Sequence, residues 1–252
     1  MLHFDTIVFG PIMSRRLGVS LGINLLPADG KLCNFDCIYC ECGWNRDGVA
    51  KSAFPSVEEV REALRAKLTA MASDGIKPDS ITFSGDGEPT LHPHFPEIVD
   101  VVLSLRDALA PEAKVSVLSN ATTCGKPAVA EALKKVDNPI LKIDAPTSAL
   151  AGKINQPQGV YNIEEVVRNL EAFGGDFILQ TMFLKSPDFD SASPEVLLPW
   201  MDIVRRLHPR QTMVYSLDRE TPQKGLVKYD AQTLRRLVAP LIEEGYSISI
   251  NA

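Results

Sequence analysis

The decapeptide CNFDCIYCEC, Cys33–Cys42, holds four of the five cysteines in a chain of 252 residues. Cys33, Cys37 and Cys40 have the spacing C-x3-C-x2-C, and Cys42 follows two residues later. Thiolates are soft ligands that favour iron–sulfur clusters, zinc or Cu(I). Three on one short loop can wrap three corners of a cubane and leave the fourth iron open to another ligand. Other readings of the same residues remain open at this point. Structural zinc prefers two separated C-x2-C pairs, and only Cys37/Cys40 forms one. A thioredoxin-type redox pair would use the same two residues. An electron carrier with a [4Fe–4S] centre would take its fourth ligand from Cys42 or Cys124.

The rest of the chain sets bounds. It is 45% apolar, enough for a sizeable core in one domain spanning 1–252. The core of that domain is expected over about 19–218, with a C-terminal helix and strand at 231–250. A net charge of −6 argues against broad electrostatic capture of nucleic acid. The opening MLHFDTIVFG lacks a basic-then-apolar leader, and no apolar run approaches membrane-spanning length. An odd number of cysteines crowded into one loop, without an export signal, points to a reducing cytoplasm rather than a disulfide framework.

Short apolar runs alternate with helical patterns. Strands are predicted at 19–25, 81–83, 115–118, 140–143, 177–184 and 212–217, with a last short one near Ile248. Helices are predicted over 57–71, 95–109, 127–136, 163–173, 194–207 and 231–244. Ser56 and Glu59 form a capping box at the start of the first helix. Six strand–helix alternations imply an α/β fold with parallel strands and right-handed crossovers. Six units suit a partial (βα)6 barrel or a doubly wound sheet. In either, chemistry gathers at the C-terminal strand ends.

Polar motifs lie at those ends. The cysteine loop follows the first strand. The segment SGDGEP follows the second: Ser84, Gly85, Asp86, Gly87, Glu88 and Pro89. Its glycines let a ligand approach the backbone, and Glu88 offers an acceptor. Asn120 ends the third strand. Lys142 and Asp144 share one face of the fourth, an arrangement costly in an interior unless paired or used. Gln180 and Met182 share one face of the fifth strand, Thr181 and Phe183 the other. Asp218 and Arg219 follow the sixth, and arginine is the natural fork for carboxylate or phosphate. Arg15 and Arg16 precede the first strand. His92 and His94 fit capping or surface roles better than metal binding.

The loop, with an aromatic residue (Tyr39) before its last C-x2-C cysteine, resembles the cluster motif of the radical S-adenosylmethionine (SAM) superfamily. The segments FGPIMSRRLGVSLGINLLP, FSGDGEPTLHP, LKIDAP and YSLDRETP extend the resemblance to a group of Fe–S oxidoreductases related to wyosine-type tRNA-modifying enzymes. The resemblance implies a partial radical SAM-type barrel. It also implies a [4Fe–4S] cluster on Cys33, Cys37 and Cys40, with SAM on the open iron. It implies reductive cleavage of SAM to a 5′-deoxyadenosyl radical that abstracts hydrogen from a small-molecule or nucleobase-type substrate, and a reductant such as flavodoxin or ferredoxin. Tyr39 would lie near the adenine. The SGDGEP segment resembles a GGEP motif that binds the methionine amino group; here Asp86 displaces the first glycine of the pair. Asn120, Asp144 and Gln180 are expected as further SAM contacts. Lys142, Arg15, Arg16 and Arg219 are expected to face substrate, with Lys142 also a candidate catalytic group. Cys42 is expected to be a free thiol.

No cysteine precedes Cys33 in this sequence, so the second cluster of the tRNA enzymes is not expected, and the acidic balance disfavours tRNA. A glycyl-radical activase and a non-catalytic iron–sulfur carrier are the competing functions. A mere carrier would have no use for a SAM-binding SGDGEP segment.

Overall fold

The computed structural model describes residues 3–14, 17–48 and 51–252. Arg15 and Arg16 lie outside the described residues. The strands are β1 (Val8–Ser14), β2 (Gly18–Ile23), β3 (Ser80–Phe83), β4 (Lys114–Ser119), β5 (Asn138–Lys142), β6 (Ile178–Met182), β7 (Leu184–Ser186), β8 (Phe189–Asp190), β9 (Gln211–Tyr215), β10 (Val227–Lys228) and β11 (Ile248–Asn251). An eight-stranded sheet has the order β1-β2-β3-β4-β5-β6-β9-β11. From β2 onward every neighbouring pair is parallel. The sheet is the curled, open partial barrel expected from strand–helix alternation.

The helices are α1 (Val57–Ser73), α2 (Phe95–Leu109), α3 (Pro127–Lys135), α4 (Ser148–Ile154), α5 (Ile163–Glu171), α6 (Pro194–Leu207), α7 (Ala231–Leu237) and α8 (Ala239–Glu243). The capping box forms: Ser56 N–H donates to Glu59 Oε2 (2.7 Å), and Glu59 N–H donates to Ser56 Oγ (3.2 Å).

Period-two alternation divides the sheet into two chemistries. Leu21, Ile23, Ile81, Phe83, Val115, Val117, Leu141, Leu179 and Val214 belong to the main core, which they share with the helices. The opposite faces of β2, β3 and β4 are hydroxylic. Ser20 bonds Thr82 (2.9 Å), Thr82 bonds Ser80 (3.0 Å), Ser80 bonds Ser116 (3.0 Å), and Asn138 Nδ2 reaches Ser116 Oγ (3.2 Å). This chain satisfies every buried hydroxyl along it and gives the barrel interior a polar floor. The face of β6 that sequence left undecided is now clear. Thr181 Oγ1 accepts from Trp200 Nε1 of α6 (3.0 Å), so Thr181 faces the helices. Gln180 Nε2 approaches Met213 Sδ (3.7 Å) on the interior side.

Three expectations change. First, β1 pairs antiparallel with β2, ahead of the first predicted strand. Its Gly10-Pro11 reads as a turn, but an edge strand tolerates proline at an irregularity, and the pairing register shifts between Phe9 and Ile12. Second, the helix expected over 231–244 is interrupted at Val238, because Pro240 lacks an N–H and its ring crowds the preceding turn. Third, the strand expected over 177–184 ends at Met182, and β7 joins a separate three-stranded sheet with order β10-β7-β8. The sequence reading also missed α4, which Thr147 caps through Leu150 N–H (3.2 Å). It has only two turns and a glycine within it, too little for a periodic signal.

At the opposite end of the barrel, Asp137 joins α2 to β4. Its Oδ2 accepts from Arg106 Nη1 (2.7 Å) and from Val115 N–H (2.9 Å). Burial pushes its carboxyl up, but these donors outweigh burial and hold it below the ordinary value of 3.8. The stabilisation is therefore present above that value and fades as pH falls through the lower folded value. Asp137→Asn should cost about 1–2 kcal/mol at neutral pH in denaturant melts. The gap to wild type should close in acid; a gap independent of pH would refute the assignment.

Candidate active site

The cysteine loop leaves the C-terminal end of β2 and is fastened back by its own side chains. Lys31 Nζ donates to Gly43 O (2.7 Å) and Asp36 Oδ1 (3.1 Å). Asp36 Oδ1 also accepts Asn45 N–H (2.9 Å), and Asn45 Nδ2 donates to the carbonyls of Cys33 (3.0 Å) and Phe35 (3.1 Å). Lys31, Asp36 and Asn45 thus replace the regular ladder that this irregular backbone lacks. Sequence reasoning missed all three, because no spacing rule marks a side chain that bonds its own loop.

The thiols sit among hydrogen-bond donors. Phe35 N–H points at Cys33 Sγ (3.4 Å), and Asn120 Nδ2 lies 3.8 Å from the same sulfur. Asn155 Nδ2 and Lys142 Nζ each lie 3.4 Å from Cys37 Sγ. Burial pushes Cys33 up to about 12 and Cys37 upward as well. Cys40 is lowered to about 6, first by a hydrogen bond from Cys42 and then, against burial, by nearby Lys31. Cys42 is raised because it is the donor in that bond. Its Sγ also approaches Gly85 O (3.4 Å). Among the described residues no three Cys, His, Asp or Glu side chains converge on one metal ion. A cubane takes its ligands at separate corners and requires no such convergence. Three thiols with donors aimed at their sulfurs fit a [4Fe–4S] cluster, whose sulfur charge those donors offset.

The glycine-rich turn after β3 locks onto the loop. Leu32 N–H donates to Asp86 O (2.8 Å), and Glu88 N–H donates to Leu32 O (3.1 Å). Gly87 adopts φ +140°, and a Cβ there would collide with the Leu32 carbonyl. Only glycine permits this approach. Pro89 opens a short 3-10 turn, Pro89–Leu91. Glu88 is buried, and burial raises its carboxyl. Its Oε1 accepts from Thr90 N–H (3.1 Å) and Ser119 Oγ (2.9 Å), and its Oε2 accepts from Asn120 N–H (2.7 Å). Oε2 carries one donor and keeps acceptor capacity. Asn120 has two roles: Oδ1 accepts from Thr122 N–H (3.1 Å) as a turn cap, and Nδ2 donates to Asn34 Oδ1 of the cysteine loop (2.6 Å).

Asp144 and Asp86 depart from the expected SAM contacts. The Asp144 side chain is fully buried. Its Oδ1 accepts Met182 N–H (2.9 Å), and its Oδ2 accepts Asn155 Nδ2 (2.6 Å), the Tyr39 hydroxyl and, at 3.1 Å, Lys142 Nζ. Three donors fill Oδ2, and Oδ1 faces the Met182 backbone, so this carboxylate serves the scaffold. Tyr39 is likewise buried with its hydroxyl between Asp144 and Lys142 Nζ (2.6 Å). Burial pulls the Lys142 ammonium down, but Asp144 and Cys37 carry it well above its ordinary value. Asp86 turns its carboxylate to the amino-terminal segment, bonding Phe4 N–H (2.9 Å) and His3 Nδ1 (2.8 Å). His92 is a buried structural residue, with Nε2 bonded to Pro55 O (2.8 Å).

A cavity of about 400 Å³ opens between the β1–β2 hairpin and the cluster side of the barrel. Phe4, Phe9, Ser20, Thr82, Ser84 and Leu118 line it, and Cys42, Gly85 and Arg219 form its rim. Arg219 pairs with Glu41 of the cysteine loop (2.5 Å), so it faces both the loop and the cavity. Gln180 and Lys142 lie elsewhere on the barrel interior and do not line this space.

A family model described as the radical SAM superfamily matches residues 29–190. The chain belongs to that superfamily. It is a radical SAM enzyme, and the family's chemistry uses a [4Fe–4S] cluster, SAM and an external reductant. It is 26% identical over 239 residues to a UPF0026 protein of Methanocaldococcus jannaschii, covering 93% of this chain and 70% of that one. Streptococcus suis SuiB superposes with a TM-score of 0.64 at 16% identity, over 92% of this chain and 49% of SuiB. The chain thus spans about half the length of SuiB. TYW1 with a lysine-pyruvate adduct bound superposes with a TM-score of 0.63 at 16% identity, over 90% of this chain and 74% of that one. Among the described residues no helix is long and apolar enough to cross a membrane.

Three variants test the site. Cys37→Ala should lose the bulk of the iron and sulfide of the reconstituted protein, whereas Cys42→Ser should keep both; the reverse result would move the ligand set. Gly87→Ala should lower cluster content by about half or more, since its Cβ forces the turn off Leu32. Wild-type iron content in that variant would show that the turn does not govern the loop.

Proposed function

We propose that this enzyme abstracts a hydrogen atom from a small, flat substrate of nucleobase size held in the cavity beside Cys42 and Gly85. The observation that carries this reading is the position of the cavity. It adjoins the cysteine loop and the glycine turn, and its lining combines two aromatic rings with a row of hydroxyls. A volume of about 400 Å³ suits a nucleoside-sized molecule better than a macromolecular segment.

When bound, the cluster and SAM supply a 5′-deoxyadenosyl radical. The chain's own residues do the rest. Cys33, Cys37 and Cys40 would hold three irons, leaving the fourth for SAM. Glu88 Oε2 and the carbonyls of the Ser84–Gly87 turn would accept from the SAM ammonium, where glycines bring the backbone close. Tyr39 and Asn120 act through the loop, by fixing its position. Ser20, Thr82 and Ser84 offer hydrogen bonds to a substrate edge, and Arg219 offers a fork at the rim to an anionic group. Flavodoxin or ferredoxin in the cytoplasm would supply the electron.

TYW1 with its lysine-pyruvate adduct raises a second reading, in which Lys142 forms a Schiff base. The geometry opposes it. Lys142 Nζ is held by Tyr39 (2.6 Å), Asp144 (3.1 Å) and Cys37 (3.4 Å), which occupy the three donors of an ammonium.

Anaerobically reconstituted protein given dithionite and SAM should produce 5′-deoxyadenosine and methionine. A yield no higher than that of the no-enzyme control would refute the reading. Binding to bulk tRNA at physiological salt should be negligible; clear affinity would favour a tRNA substrate.

A further inference from the structure

We infer that the amino-terminal segment from His3 to Phe9 is a wall of the substrate site, and that Asp86 is the positioning residue that ties this wall to the SAM-facing turn. The inference rests on the cavity being the substrate site. Asp86 is the residue that separates Gly85 from Gly87, and it is 1% exposed. Its Oδ2 accepts from Phe4 N–H (2.9 Å) and pairs with His3 Nδ1 (2.8 Å).

Asn24, just beyond β2, completes the tie from the other side. Its Nδ2 donates to Phe4 O (3.1 Å), its Oδ1 accepts Asp86 N–H (3.3 Å), and its own N–H donates to Ile7 O (2.8 Å). A Cβ on Gly85 would overlap the Asn24 side chain, so the turn and Asn24 pack directly. The segment is thereby bonded through both backbone groups of Phe4 to one small cluster, Asn24 and Asp86.

That anchoring sets two rings in the cavity. Phe4 stacks on Phe9 with centroids 3.9 Å apart and planes at 24°. Phe9 in turn covers Gly22 of β2, where a Cβ would collide with the ring. Both rings line the cavity together with the hydroxyls of Ser20 and Thr82.

Asp86 makes these bonds at a cost. Its Oδ1 is buried and finds no hydrogen-bond partner among the described residues. A half-satisfied buried carboxylate is unfavourable, and an asparagine or threonine would hold an ordinary tail more cheaply. Its place inside the turn gives it a function that a surface tether lacks. Leu32 N–H bonds the Asp86 carbonyl (2.8 Å), so one residue touches the cysteine loop through its backbone and the cavity wall through its side chain. A ligand that orders the turn orders the wall.

The test uses amide hydrogen exchange on cluster-reconstituted protein, with S-adenosylhomocysteine as probe. In wild type the probe should slow exchange about threefold or more in peptides covering both 3–9 and 84–88. In Asp86→Ala, exchange in 3–9 should be about tenfold faster, and the probe should protect 84–88 alone. Asp86→Asn keeps an acceptor for Phe4 N–H and should restore part of the protection. Wild-type exchange and wild-type probe response in Asp86→Ala would overturn the inference. If that variant does not fold, Phe4→Ala removes the stacked ring without emptying a buried site. Exchange across 5–9 should then rise about threefold, and no change would equally overturn the proposal. Production of 5′-deoxyadenosine by the wild-type preparation is scored separately. Its absence would count against the proposed function while leaving the exchange result to decide the role of Asp86.

Discussion

A carboxylate without solvent contact holds the cysteine loop on its barrel. Asp144 receives donors from Met182, Asn155, Tyr39 and Lys142, which come from β6, the end of α4, the loop and β5. A buried charge persists only when its lone pairs are filled, so these donors cannot move independently. Tyr39 lies between Cys37 and Cys40, and fixing its hydroxyl fixes the loop between two thiols. Asn155 and Lys142 extend the same cluster to Cys37 Sγ. The loop can therefore dispense with regular secondary structure.

The sheet makes this arrangement possible by separating its faces. Outward Leu21, Phe83, Val117, Leu141, Leu179 and Val214 join the helices in one core. The inner face carries hydroxyls at one side and Lys142, Gln180 and Met213 at the other. A barrel filled with aliphatic side chains would have no room for polar chemistry. Here the interior is polar where β2, β3 and β4 meet the cavity, and the open edge is covered by the β1 hairpin strand. Phe9 fits there because Gly22 has no side chain.

Much of this was legible in the sequence. The parallel pairing follows from strand–helix alternation, since parallel neighbours need crossovers. The C-x3-C-x2-C spacing singled out three soft thiols and set Cys42 apart, and Cys42 Sγ turns to Gly85 O (3.4 Å). The turn at Gly85–Gly87 was marked by residues that alone permit its backbone. Other features left no trace. β1 was hidden by Gly10-Pro11, which signals a turn by local rules. Lys31 and Asn45 act on their own loop, and Asn155 reaches it from 118 residues away. Asp144 and Asp86 were placed with the cofactor because their positions at strand ends are right; their partners are not the expected ones.

The sequence by itself determined the strand–helix alternation of an α/β fold, the glycine turn after the second predicted strand and the grouping of soft thiols on one loop. Each depends on local spacing, on backbone freedom or on the softness of sulfur. Only the tertiary structure decided which polar residues line the cavity and which hold the scaffold. A side chain's role is set by the donors and acceptors within about 3 Å of it. Tyr39 and Asp144 meet across 105 residues of chain, and Phe4 meets Asp86 across 82. No periodicity records such meetings, because they are made by the folding of the sheet and not by the neighbours of either residue.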